Sequence, residues 1–194
     1  MKNVKKVAYD IVMGILPVMI GVYLGIYFNN RNEATQQERL KQRIIESLLV
    51  EATSNKSELE RSVSYFSLLR DSTEYLIRND LPYRQFGFWE GLNPPKMNNT
   101  AFETAQITNV LPDISIDLLQ ALSKTYSSIE DVDNLSNEYS LSVTDKIGTS
   151  DFSNDKYLVI LSNYSYDILV AEKLAIEELG SLIQLLERQS KKPK

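Results

Sequence analysis

The chain has 194 residues, with 21 lysines and arginines against 26 aspartates and glutamates, a formal net charge of −5. It contains no cysteine and no histidine, which excludes disulfides, thiolate metal sites, cysteine nucleophiles and every Ser-His-Asp or Cys-His device. Any catalysis would rest on carboxylates, lysine or tyrosine, and an acidic chain without a clustered basic stripe does not favour a nucleic-acid backbone.

Residues 1–10 form a basic tail carrying Lys2, Lys5 and Lys6, closed by Asp10. Residues 11–28 carry no charge. As a helix at about 1.5 Å per residue this run is about 27 Å long, close to the roughly 30 Å hydrocarbon core of a bilayer. Tyr9, Tyr23 and Tyr27 suit the interfacial aromatic belt. A buried core helix is rarely so uniformly apolar beside a cluster of lysines. A cleavable signal would need a small-x-small site after the apolar core, and "IYFNNRNEAT" supplies none that convinces. The run therefore reads as an uncleaved transmembrane anchor. The three lysines crowd the residues before it, while Arg31, Arg39, Lys41 and Arg43 are spread beyond it. The positive-inside rule then places the amino terminus in the cytoplasm and the main domain outside it.

Gly21 and Gly25 form a G-x-x-x-G pair, with Gly14 one heptad before Gly21. All three fall on one helix face, where a second helix could approach closely; glycine is also simply frequent in membrane helices. Pro17 removes a backbone hydrogen bond and should kink the helix one turn before Gly21.

From Asn32 the pattern is helical and amphipathic. Leu40, Ile44, Leu48 and Ala52 recur every fourth residue, and Leu59, Val63, Phe66, Arg70, Thr73 and Ile77 follow a 4-3 spacing. No proline or glycine occurs between Arg31 and Leu81. The spacing predicts one long helix over 29–79 continuing the membrane helix, with Ser54-Asn55 as the one place where it could bend. A sustained a/d pattern could also mean a coiled coil, but Arg70 and Thr73 in the stripe favour a bundle face.

Residues 80–99, "DLPYRQFGFWEGLNPPKMNN", contain three prolines and two glycines and cannot continue a helix. Tyr83, Phe86, Phe88 and Trp89 cluster there. They read either as aromatics folded back on the bundle or as an exposed recognition patch. Thr100 with Glu103 three residues on reads as a capping box opening a short helix. Asp113 or Ser115 should cap the next helix. That helix carries Leu119, Leu122, Tyr126, Ile129, Val132, Leu135, Tyr139 and Val143 at helical spacing, and Gly148 is its expected stop. A last helix from about Asp155 to Gln189 has Leu161, Tyr164, Ile168, Ala171, Leu174, Leu182 and Leu186 as core candidates, before a basic tail at 190–194. Over 100–189, therefore, the remaining helices of a bundle are expected. The fold class is all-α: a transmembrane helix running into a three- to four-helix antiparallel bundle.

Carboxylates pair at Glu130-Asp131 with Asp133 and at Glu177-Glu178. At helical spacing these read as solvated faces rather than acid-base pairs. "DVDN" lacks the glycine and downstream glutamate of a calcium loop, and no P-loop or G-x-G-x-x-G is present. The sequence thus points to no catalytic residue, cofactor or metal.

The order of an apolar helix ending "IGVYLGIYFNNRNE" and then a charged amphipathic helix resembles an uncharacterised family of bacterial single-pass membrane proteins. In that family an "IGILIALQINNWNE"-like stretch closes the membrane helix. Gly21 matches the family glycine, Gly25 its small residue, and Asn29, Asn30, Asn32 and Glu33 the polar exit. Arg31 stands where the family usually has tryptophan, and Gly14 where it often has glutamate. Residues 101–139 are similar to a second segment of the family, a short helix, a turn and an "eLl..L..yY..i" helix. The resemblance implies topology and a bacterial inner-membrane location, and the charge distribution then puts the helical domain in the periplasm. It implies no activity.

The expected partners are the lipid bilayer and a second copy or another membrane protein, met by protein-protein contact as a scaffold, accessory subunit or regulator. The alternative is a membrane-anchored sensor whose 80–99 loop and bundle enclose a small-molecule ligand.

Overall fold

The structure is a computed structural model that describes residues 2–82, 94–108, 110–147 and 154–191. Four α-helices follow in order: α1 (Lys2–Arg78), α2 (Thr100–Ile107), α3 (Ile116–Ile147) and α4 (Asn154–Ser190), with a 3-10 turn at Leu111–Asp113 before α3. No strand occurs among the described residues. The chain divides into two compact units, Met1–Arg43 and Ile44–Lys194.

In the first unit α1 continues as a helix through Pro17. The large apolar side chains from 13 to 28 are all exposed, from 44% at Leu24 to 69% at Tyr23. This is the one helix among the described residues long and apolar enough to cross a membrane. Just after the apolar run the Asn29 amide donates to Glu33 Oε1 at 2.7 Å, one turn on.

The second unit is a helical bundle. Ser62 of α1 meets Glu172 of α4, and Phe66 meets Tyr164; as α1 advances, α4 recedes. Lys124 and Tyr139 of α3 meet Glu178 and Asp167 of α4 in the same reversed order. So α4 runs antiparallel to both other long helices. The chain makes the geometry possible after α1, because Asn98 lies against Asn55, about six turns back from the helix end.

The end of α1 has a specific cause. Leu81 N–H donates to Leu76 O at 3.0 Å, and Asp80 N–H to Ile77 O at 3.4 Å. This is the Schellman pattern, with Asp80 at the left-handed position, φ 51°. Leu81, half-buried, is the hydrophobic residue that accompanies such a stop over buried Leu76.

The core joins Ile44, Ile45, Leu48, Ala52, Leu59, Phe66 and Leu69 of α1 to Leu118, Leu122, Ile129 and Val132 of α3 and Ile168, Leu179, Leu182 and Leu186 of α4. Tyr164 is fully buried at its centre. Phe66 meets it edge-on at 5.2 Å between ring centroids, and Tyr139 leans on it at 4.8 Å. Burying a side chain such as Phe66 contributes roughly 1.5–3 kcal/mol.

Several expected core positions shift by one residue. The buried stripe of α1 reads Leu59, Ser62, Phe66, Leu69, Thr73, Leu76. It shares Leu59, Phe66 and Thr73 with the expected stripe but takes the neighbours of Val63, Arg70 and Ile77. Those three are half-buried, half-buried and exposed. Leu118 is buried where Leu119 was expected, and Ala175 where Leu174 was expected. Spacings of three and four are both compatible with a 3.6-residue turn, so the pattern leaves the centre of the stripe free by one position. Leu40, also expected in the stripe, falls in the first unit and is exposed. Ser54-Asn55 does not interrupt α1. "NYSYDILV" lies wholly within α4.

Candidate functional site

Polar groups converge under cover at the junction of α1, α2 and α3. Glu51 of α1 is buried, at 6% exposure. Its Oε2 accepts the Ala101 N–H at 2.7 Å, and its Oε1 accepts the Phe102 N–H at 3.3 Å and the Tyr126 hydroxyl. A glutamate on α1 therefore does for α2 what an N-cap side chain normally does.

The rest of that helix start is also satisfied. Thr100 N–H and the Thr100 hydroxyl both donate to Asn98 Oδ1, at 3.0 and 2.7 Å, and Glu103 N–H donates to Asn99 O at 2.9 Å. The expected Thr100–Glu103 capping box is thus not formed. Thr100 is already inside the helix, Asn99 caps without a side-chain bond, and Glu51 has taken the free amides. The other expected cap does form: Ser115 Oγ accepts the Leu118 N–H at 3.4 Å.

Asn55, one turn beyond Glu51, exchanges two hydrogen bonds with the backbone of Asn98. Its Nδ2 donates to Asn98 O at 2.7 Å, and its Oδ1 accepts the Asn98 N–H at 2.8 Å. Together Glu51 and Asn55 fix residues 98–102 on α1. The Phe102 ring then stacks on Tyr126 at 4.1 Å with the planes 8° apart. Burial, then the hydrogen bond to Glu51, raises the Tyr126 phenol far above its ordinary pKa.

Beside this stack is a cleft of about 700 Å³. Met97, Asn99, Phe102, Glu103 and Gln106 line one wall; Ser123, Tyr126, Ser127, Ile129, Glu130 and Asp133 of α3 line the other. Burial raises the Asp133 carboxyl above its ordinary value. Glu130 and Asp133, read from the sequence as a solvated face, are exposed, yet both border the cleft, whereas Asp131 does not. The arrangement offers carboxylates, amides and hydroxyls around an aromatic floor. Its chemistry is that of binding a cationic or hydrogen-bonding group with a flat apolar part. Among the described residues, no group of three or more carboxylates could hold a metal ion.

The other expected site residues lie elsewhere. Gly14, Gly21 and Gly25 are in the first unit, and a methyl added at any of them would meet nothing within 4 Å. Tyr83, Phe86, Phe88 and Trp89 lie outside the described residues, as does Gly148. Glu51 was not singled out from the sequence, and Asn55 was named only as a possible bend in α1. Their signal is a carboxylate and an amide falling in or beside an apolar stripe, between Leu48 and Leu59.

Comparison with protein-family profiles, with curated proteins and with solved structures finds no match to this chain.

Proposed function

We propose that this chain is a single-pass membrane protein of the bacterial inner membrane, acting by protein-protein contact through its membrane segment and its helical bundle. The observation that carries the reading is the continuous belt of exposed apolar side chains from 13 to 28 on α1. Such a belt is stable where lipid or another apolar helix covers it. The Asn29–Glu33 exit and the family resemblance support the same reading. In it the amino terminus is cytoplasmic, the bundle is periplasmic, and the glycine face of Gly14, Gly21 and Gly25 receives a second copy or another membrane protein.

The glycine face is tested with Gly21→Leu/Gly25→Leu in native membranes. Loss of in-membrane cross-linking and of co-purifying partners is expected. Unaltered cross-linking and partner recovery would show that the glycines do not form the contact. Topology is tested on a clean background, because the chain has no cysteine. A cysteine replacing Glu187 should react with an impermeant thiol reagent from the periplasmic side, and one replacing Asn3 should not.

A second reading is favoured by the cleft between α2 and α3: a membrane-anchored sensor that binds a small cationic ligand there. A thermal-shift screen of the full chain in detergent separates the two. Only the sensor reading expects ligand-dependent stabilisation, lost in Glu130→Gln/Asp133→Asn.

A further inference from the structure

Glu172 stands on α4 four residues after Ile168 and three before Ala175, a core position in an otherwise apolar stripe. Its side chain is fully buried. Oε1 accepts the Ser62 hydroxyl of α1. Oε2 is buried and has no hydrogen-bond partner. A carboxylate in this setting is held by one neutral donor, with half of its charge facing nothing that can solvate it.

The charged and titratable groups nearby are engaged with other partners or stand in solvent. On α1, Glu58 is bonded to Arg61, Glu60 pairs with Lys56 at 3.8 Å, and Tyr65 packs edge-on against Phe66. On α3, Lys124 pairs with Glu178 at 2.7 Å, while Glu130, Asp131 and Asp133 are exposed. On α4, Asp167 accepts the Tyr139 hydroxyl, and Lys173 and Glu177 are exposed. Burial raises the Tyr164 phenol, and the Glu172 charge adds a smaller push in the same direction. Among the described residues, no cation pairs with Glu172. Burial accordingly pushes its carboxyl up to about 7, against a smaller opposing effect of the Ser62 hydrogen bond.

We propose that Glu172 is a proton-operated latch on the seam between α1 and α4, closed when the carboxyl is neutral and loosened when it is ionised. In the closed state the proton sits on Oε2 and Ser62 donates to Oε1. On ionisation the proton leaves Oε2 for solvent. The buried anion then has only Ser62, and the cheapest remedy is water entering the seam between the two helices. Phe66 packs on Tyr164 to one side of Ser62 and Glu172, and the opening is placed at the turns around those two residues. The latch rests on the bundle alone and stands whether or not α1 crosses a membrane.

Amide hydrogen exchange of the full chain in detergent micelles tests it, at about pH 5.5 and about pH 8.5 and corrected for intrinsic rates. Peptides covering 59–69 and 168–179 should lose about tenfold or more in protection at the higher pH, since each pH unit from about 5.5 up to the carboxyl's value of about 7 favours the ionised, opened seam by about a factor of ten. Glu172→Gln, of the same shape but unable to ionise, should hold its protection at both values. Unchanged wild-type protection, or an equal loss in Glu172→Gln, would overturn the latch. Should Glu172→Gln not fold, Ser62→Ala serves. It removes the one donor to the carboxylate and should move the transition to higher pH, whereas an unmoved transition would overturn the proposal.

Discussion

Glu51 of α1 accepts the Tyr126 hydroxyl of α3 and, with the same carboxylate, the Ala101 and Phe102 amides in the first turn of α2. Three helices meet on one side chain, and two of them, α1 and α2, are separated in sequence by the 79–99 connection. The pairing explains how an eight-residue helix, too short to be stable alone, holds a fixed place against the bundle.

Replacing Glu51 by alanine should therefore do more than remove a surface charge. It leaves two amides of α2 and the Tyr126 hydroxyl without their acceptor in a buried setting. A loss of roughly 2–4 kcal/mol is expected from the unmade hydrogen bonds. Glu51→Gln keeps one carbonyl oxygen as acceptor and should lose less. Thermal melts followed by circular dichroism rank the two. Equal losses would mean that the carboxylate is not what joins the helices.

Asn55→Ala is expected to act locally. The amide clamps Asn98 through one donor and one acceptor, so its removal frees residues 96–99 while leaving Glu51 in place. A cost of roughly 1–2 kcal/mol is expected. Hydrogen exchange at Asn98 and Thr100 should rise well above that at Leu122. Asn55→Asp retains the acceptor for Asn98 N–H but sets a carboxylate against Asn98 O, and should be no better than alanine.

The helices were legible because apolar spacing and the absence of proline or glycine between Arg31 and Leu81 leave little else for the chain to do. The membrane-length run was legible for a different reason, that residues 11–28 carry no charge. What was not legible depends on contacts between distant segments. Glu51 and Glu172 look like ordinary helical glutamates in sequence, and their burial follows only from which side of the stripe meets a neighbour. The one-residue shift from Val63, Arg70 and Ile77 to Ser62, Leu69 and Leu76 is the same uncertainty, and Ser62 is the residue that meets Glu172. The cleft is hidden for a further reason. Its walls come from residues 97–106 and 123–133, and no motif links them.

Asp80 offers a stabilising substitution. It occupies the left-handed position of the stop after Arg78, φ 51°, where a residue with a Cβ is strained and glycine is not. Its side chain is exposed. Asp80→Gly should raise stability by about 0.5–1 kcal/mol, the strain relieved less the extra entropy glycine loses on folding. Asp80→Ala keeps the Cβ and should give none of this gain. A melting temperature of Asp80→Gly at or below wild type would mean that the Schellman stop does not carry the strain.

The pH dependence of stability follows from Glu172. Its carboxyl titrates at about 7 in the folded chain against an ordinary 4.5, so between these values the folded chain holds a proton that the unfolded chain has released. Stability is then full below about pH 4.5, falls as the pH rises toward 7, and levels off above it. The whole drop is on the order of 3 kcal/mol. Burial also raises Asp133, which gives a second slope of the same sign, and Asp133→Asn removes that contribution. In an Asp133→Asn background, Glu172→Gln should match its parent near pH 4 and exceed its stability at pH 8, with a flat profile between. Melting temperatures of the full chain in detergent across this range read the difference. A parent profile that rises from pH 5 to pH 7 would mean that Glu172 is charged in the folded core.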